Sequence, residues 1–216
     1  MSSREEYFLC WGADGGRMDE LWAEGWRHFG PIFFRYRRWP HAGRNLTITP
    51  LRMELARFEP SRSQRRVAAR NRDLRVEVRP TALDAETFGM FEAHRRRFRT
   101  DVPDSLHDFL SHAPAEVPCR NETIRVYSGE RLVGAHFLDE GRTATSSVYS
   151  MFDPSESRRS LGVYTILLAV ERSQRLGCLY YYPGYACREP SPYDYKKNFG
   201  GLEEYDWRGR WVPLVD

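Results

Sequence analysis

Ser147-Val148-Tyr149-Ser150-Met151-Phe152-Asp153-Pro154, followed by Arg158-Arg159-Ser160-Leu161-Gly162-Val163-Tyr164, decides the fold. The first run is rich in β-formers and stops at an Asp-Pro turn. The second opens a helix that runs to Gly177. Cys178-Leu179-Tyr180-Tyr181-Tyr182 then reads as another strand, entering Pro183-Gly184-Tyr185. A shorter helix is predicted to carry Tyr193, Tyr195, Lys196, Lys197 and Phe199. Strand, helix, strand in this order predicts two parallel neighbours joined by a crossover helix. An Arg/Ser/Gly turn at a helix start turns backbone N–H groups toward an anionic ligand.

Upstream, Met18 to Phe29 has helical spacing and is stopped by Gly30-Pro31. Residues 32–36 are strand-like, 40–45 read as a loop, and 47–58 alternate as a strand. Pro60-Ser61-Arg62-Ser63 starts a helix that ends near Asn71, with Ser61 or Ser63 as its cap. Leu74 to Pro80 alternates as a strand, 81–98 is helical, and 104–111 forms a further short helix. Residues 123–127 and 132–138 pair as a hairpin around Gly129-Glu130, and 143–152 continues the antiparallel sheet. Trp207 to Trp211 closes the chain as a loop or last strand. The expected architecture is α/β (α+β): a mixed central sheet flanked by helices over 61–216, with a small N-terminal subdomain over 1–60.

The 216 residues are 41% hydrophobic, enough for a real core, and contain no apolar run of membrane-spanning length. Residues 1–6 lack an apolar leader segment, so no signal peptide is read there. Cys10, Cys119, Cys178 and Cys187 are scattered, without C-x-x-C or paired histidine spacing. A reduced, cytoplasmic protein with no structural metal is expected. The net charge of +3 hides a strong bias: 31 of the 33 basic residues are arginine. Arg62, Arg65, Arg66, Arg70, Arg72 and Arg75 form one cluster. Arg35, Arg37, Arg38 and Arg44 form a second, and Arg95, Arg96, Arg97 and Arg99 a third. Each is either a solvated face or, because guanidinium forks match phosphates, part of a surface for RNA.

Several strings converge on one family. They are Glu24-Gly25-Trp26-Arg27-His28-Phe29-Gly30; Phe58-Glu59-Pro60-Ser61-Arg62-Ser63-Gln64-Arg65-Arg66; and Tyr149-Ser150-Met151-Phe152-Asp153-Pro154. Arg159-Ser160-Leu161-Gly162-Val163-Tyr164, Gly184-Tyr185, Tyr195-Lys196 and Phe199 follow. In this order and spacing the chain resembles the bacterial aspartate/glutamate leucyltransferases and the arginyl-tRNA–protein transferases. The resemblance implies a GNAT-like acyltransferase fold. It implies transfer of an amino acid, arginine or leucine, from aminoacyl-tRNA to a protein, peptide or small amine, with no other cofactor and no membrane partner. The family's N-terminal cysteine cluster is missing here, and its usual Lys-Met pair is replaced by Pro192-Tyr193.

Transfer from an already activated ester asks a site to position two reactants and stabilise an oxyanion. The resemblance places Asp153, Tyr149 and Tyr185 at the chemistry. Asp153 orients the amine or caps its turn; the two tyrosines stack on adenine, donate to a developing alkoxide, or are core. Ser61, Arg62, Ser63, Gln64, Arg65 and Arg66 fall beside the acceptor stem. Arg159, Ser160 and Gly162 hold the donor end, or simply start a helix. Tyr195 and Lys196 hold the acceptor or the tRNA end, or Lys196 and Lys197 lie on a solvated helix face. Tyr164 replaces the last small residue of the acetyltransferase R-x-x-G-x-G/A loop, which is expected to exclude a pyrophosphate. His28, His94 and His136 read as core-edge histidines. Two alternatives stand beside this reading, an acyl-CoA-dependent N-acyltransferase and a non-catalytic tRNA-binding relative.

Overall fold

A computed structural model describes residues 5–41 and 43–214. The chain opens with β1 (Glu6–Leu9) and α1 (Gly15–Ala23). Asp14 caps α1 by accepting from the Arg17 N–H at 2.9 Å. The helix predicted over 18–29 ends early, because Gly25 adopts φ +84° and turns the chain out of helical geometry. Residues Arg27–Phe29 instead form β2, which pairs with β3 (Ile32–Arg35); β3 pairs in turn with β1.

The expected loop at 40–45 is a hairpin between β4 (Arg38–His41) and β5 (Arg44–Glu54). A capping box at Ser61 and Gln64 starts α2 (Arg62–Arg70). Then come β6 (Arg75–Pro80), α3 (Ala85–Arg95), β7 (Asn121–Ser128), β8 (Arg131–Glu140) and β9 (Ala144–Phe152). The predicted helix at 104–111 is a single 3-10 turn, Leu106–Asp108. α4 (Leu161–Arg175) crosses to β10 (Tyr180–Cys187), which starts two residues later and runs five further than the sequence pattern indicates. The expected helix around Tyr195 is a 3-10 turn, Asp194–Asn198. β11 (Leu202–Tyr205) and β12 (Trp211–Pro213) follow.

The large sheet has the order β12-β11-β5-β10-β9-β8-β7-β6, with β4 added on β5. It is the expected mixed sheet flanked by helices. β5 lies between β10 and β11, so the expected boundary at residue 60 cuts across the sheet. Side chains alternate between its faces. Leu138 packs toward α4 with Ile124, Tyr181, Ile166, Ala169 and Val170. Phe137 packs toward α3 with Met90, Phe91, Val148 and Met151.

Among the described residues one strand pair is parallel. Tyr180, Tyr181 and Tyr182 of β10 face Ala144, Thr145 and Ser146 of β9, and there the pairing stops. Beyond it β9 stays with β8 while β10 stays with β5. The two central strands therefore part and leave a fork whose base is Ser146 and Tyr182. A bulge opposite Phe137–Leu138 bends β9 at this level.

Candidate active site

The fork collects polar groups that a sheet interior normally excludes. Arg27 enters from β2, 9% exposed. Its guanidinium donates to Ser146 Oγ and to the Ser147 carbonyl oxygen at the fork's base. No carboxylate stands within ion-pair distance of it among the described residues. Burial lowers its pKa, partly offset by Asp139 and the tyrosines around it.

Lys196 reaches the same place from the 3-10 turn. Its Nζ donates to the Tyr185 carbonyl oxygen at 3.4 Å. A Cβ built on Gly184 would stand 3.3 Å from this Nζ and 3.7 Å from an Arg27 terminal nitrogen. Gly184, at φ +99°, is thus the point on which two cations converge. Desolvation, then the Arg27 charge, pulls the Lys196 ammonium down to about 7. Beneath them His136 Nε2 and Ser147 Oγ share a hydrogen bond of 2.6 Å, and Ser147 Oγ shares one of 2.5 Å with the Tyr181 hydroxyl. His136 Nδ1 is buried without a partner among the described residues. Burial, reinforced by Lys196, lowers this imidazole to about 3, so it is neutral.

The mouth of the fork is aromatic and basic. Tyr149 stacks on Phe109 with ring centres 4.0 Å apart, and its buried hydroxyl has no partner among the described residues. Burial raises that phenol, and the exposed Arg97 draws it back. Arg97 acts in the same sense on Tyr193 and Tyr195 across the fork. Its guanidinium lies 4.6 Å over the Phe152 ring.

The expected site residues divide accordingly. Tyr149, Tyr185, Tyr195 and Lys196 line or adjoin the fork. The Tyr185 hydroxyl is committed to the Gly25 carbonyl at 2.8 Å, which ties β10 to the turn before β2. Asp153 caps the turn after β9 by accepting from the Ser155 N–H at 2.8 Å, and its other oxygen pairs with Arg131. Despite burial, those bonds keep its carboxyl below the ordinary value. Arg159 forms a double hydrogen bond to Asp73 and a further one to Glu156. Ser160, at φ 55°, precedes α4 without capping it. Gly162 lies inside α4, where a Cβ would come 3.2 Å from the Phe152 ring.

Tyr164 does not stand in the turn as a barrier to pyrophosphate. It is buried with Leu74, Val126, Val133 and Leu161, because the fourth residue of α4 faces the sheet. Ser61 and Gln64 are occupied as a capping box, and buried Gln64 also donates to the Asn198 carbonyl at 3.1 Å. That bond seats the start of α2 beside the turn bearing Lys196. The Ser63 hydroxyl bonds to that of Ser61, while Arg62, Arg65 and Arg66 are exposed.

Sequence reasoning gives no role to Arg27 or to the Ser147–His136–Tyr181 network. Arg27 belongs to a matching string, but its separation from residue 184 hides the contact. His136 is buried as expected. His28 Nε2 meets Asp139 Oδ2 at 2.7 Å, and its Nδ1–H donates to the Gly30 carbonyl. With Cys119 these groups bring three ligand-type atoms within 4.8 Å of one another. The 2.7 Å contact is a hydrogen bond, closer than the roughly 3.3 Å expected between two nitrogen or oxygen ligands of one tetrahedral ion.

Residues 86–206 match the family model described as arginine-tRNA-protein transferase, C terminus. The chain belongs to this family. Curated relatives agree over most of its length. An aspartate/glutamate leucyltransferase of Stenotrophomonas maltophilia (strain R551-3) is 31% identical over 200 residues, covering 89% of this chain and 78% of the relative. One from Nitrosococcus oceani is 33% identical over 209 residues, covering 94% and 84%. Among solved structures, that of L-PGS from Bacillus licheniformis aligns with a TM-score of 0.46 at 12% identity, over 74% of this chain and 60% of that one. Members of the family are aminoacyl-tRNA-dependent aminoacyltransferases, and this chain is such an enzyme.

Proposed function

We propose that the fork between β9 and β10 is where the amide bond forms, and that the chain moves leucine from leucyl-tRNA onto an acidic protein or peptide N-terminus. The observation that carries this is the convergence of Arg27 and Lys196 on Gly184, two cations without a carboxylate partner among the described residues. The donor ester carbonyl enters beside Arg27, whose desolvated guanidinium stabilises the oxyanion that develops on attack. The same positive field repels an arginine side chain and attracts an aspartate or glutamate. That favours leucine as donor and an acidic residue as acceptor, in line with the names of the relatives. The aromatic mouth, with Tyr149, Tyr193 and Tyr195 around Arg97, suits the unpaired 3′ end of a tRNA, which stacks on aromatic rings. The exposed arginines of α2, beginning beside the Lys196 turn, continue that path for phosphates. The fold is read as GNAT-like and the setting as cytoplasmic, where free cysteines persist.

The test is transfer from preformed leucyl-tRNA and arginyl-tRNA to peptides beginning with Asp, Glu, Ala or Lys, read by mass spectrometry. Leucine on the Asp and Glu peptides is expected, with Arg27→Gln folded but at least about 100-fold slower. No transfer from either tRNA, or full activity of Arg27→Gln, overturns the reading.

A further inference from the structure

Lysine occurs twice in this chain, at 196 and 197, against 31 arginines. The two side chains have different surroundings. Lys197 pairs with Asp194 at 2.9 Å, as a surface cation does. Lys196 has no carboxylate within ion-pair distance among the described residues. Among the described residues, the groups found to face it are neutral or positive. From β2 it meets Arg27, and from β10 the Tyr185 carbonyl and Cys187, whose thiol burial keeps protonated. From β8 it meets the neutral His136, and in its own turn the Tyr193 ring at 5.3 Å. An arginine here would hold its proton under all conditions, whereas a desolvated lysine beside another cation gives it up.

We propose that Lys196 is a catalytic residue, the base that takes the proton from the acceptor's α-ammonium in the fork. This rests on the reading that the amide forms there. The neutral Nζ accepts one proton, and the freed nitrogen pair attacks the ester carbonyl carbon. A C–N bond forms, and the carbonyl π electrons move onto oxygen beside Arg27. Collapse breaks the bond to the ribose 3′ oxygen, which leaves with that electron pair. The nitrogen's second proton passes to the 3′ oxygen, and Lys196 returns its own to solvent. An α-ammonium has a pKa of about 7.7–8.0. Lys196, at about 7, is therefore unprotonated often enough near neutrality to act, and close enough in basicity to accept that proton.

Two measurements test this, and the first needs no activity. In protein carrying 13C,15N-lysine only two side-chain signals exist, and Lys197→Arg assigns them. The signal that survives in Lys197→Arg belongs to Lys196 and should titrate near 7. Titration of the Lys196 signal above about 9 overturns the proposal, whatever the protein transfers. The second is the single-turnover rate of transfer to an N-terminal glutamate peptide across the pH range. Lys196→Arg keeps the positive charge and should lose at least about 100-fold, with the break near pH 7 abolished. Its affinity for charged tRNA should stay within about threefold, since the charge is retained. Transfer by folded Lys196→Arg within about tenfold of wild type also overturns it. A Lys196→Arg protein that does not fold leaves the decision to the titration, which uses wild-type Lys196. Failure of Arg27→Gln to slow transfer strikes the placement of the site instead.

Discussion

The Nζ of Lys196 stands 3.3 Å from where a Cβ on Gly184 would lie, and Gly184 adopts φ +99°. Backbone and ammonium thus compete for one space. Gly184→Ala combines a strained φ with a displaced cation. It should lower stability by roughly 1–3 kcal/mol and cut the transfer rate more sharply than that loss explains. Thermal melts and single-turnover transfer on the same sample separate the two effects. Wild-type transfer by Gly184→Ala would show that Lys196 does not depend on this glycine.

Arg62, Arg65 and Arg66 project from α2 into solvent without carboxylate partners among the described residues. Their triple replacement by Ala should leave the melting temperature nearly unchanged. It should flatten the dependence of log Kd for tRNA on log salt by about 0.7–0.9 for each phosphate no longer neutralised. A slope identical to wild type removes α2 from the interface.

Tyr164 is 8% exposed and packs beneath α4. Tyr164→Ala should cost about 3–5 kcal/mol, the range for truncating a buried aromatic. It should not create binding of acetyl-CoA, because the ring does not guard the turn. Calorimetric titration of acetyl-CoA into the folded variant checks this, and tight binding would restore Tyr164 as a donor discriminator.

Burial lowers His136 to about 3 and His94 to about 4, both below the ordinary value of about 6.5. The unfolded chain therefore takes up these protons first as the solution is acidified. Their contribution to stability is complete above about pH 6.5 and is lost as pH falls through 4 to 3. Glu140 has the opposite sense. Burial, then the neighbouring Glu122, raises it to about 7, so its protonated form is favoured by folding. That contribution is present below about pH 4.5 and is lost as pH rises through 7. Melting temperatures from pH 4 to 9 should rise on the acid side and sag on the alkaline side. Glu140→Gln should remove the sag, and His136→Gln should shallow the acid limb. An unchanged profile in both variants would place the titrating groups elsewhere.

The strand–helix–strand from Ala144 to Cys187 is legible in the sequence because each piece signals itself locally. Val148 and Tyr149 mark a strand, Asp153-Pro154 marks its end, and the apolar spacing of Leu161 to Val170 marks a helix. Ser61 and Gln64 likewise announce a helix start, and a capping box is what forms there. The lower half of the site is not local. Arg27 meets Ser146 and Ser147 across some 120 residues, and no spacing rule connects them. Charge also misleads: Asp153 and Arg159 look poised for chemistry, yet each is neutralised by a partner distant in sequence, Arg131 and Asp73. The β4–β5 hairpin resembles a loop in sequence because Pro40 sits inside it, on a strand that among the described residues pairs only with β5. Tyr164 escapes a sequence reading because position in a motif does not give the direction of a side chain.

β5, residues 44–54, is hydrogen-bonded on one side to β10 and on the other to β11, whose residues fall between 180 and 205. During synthesis it leaves the ribosome long before either neighbour exists. At about 5–20 residues per second the wait for β10 is roughly 6–25 s. For that time an eleven-residue strand carrying Leu46, Ile48, Leu51 and Met53, all destined for the interior, has only the β4 hairpin to shelter it. The nascent protein is thus most exposed to aggregation in its middle period, and a premature stop anywhere before residue 180 leaves a product that cannot complete its sheet.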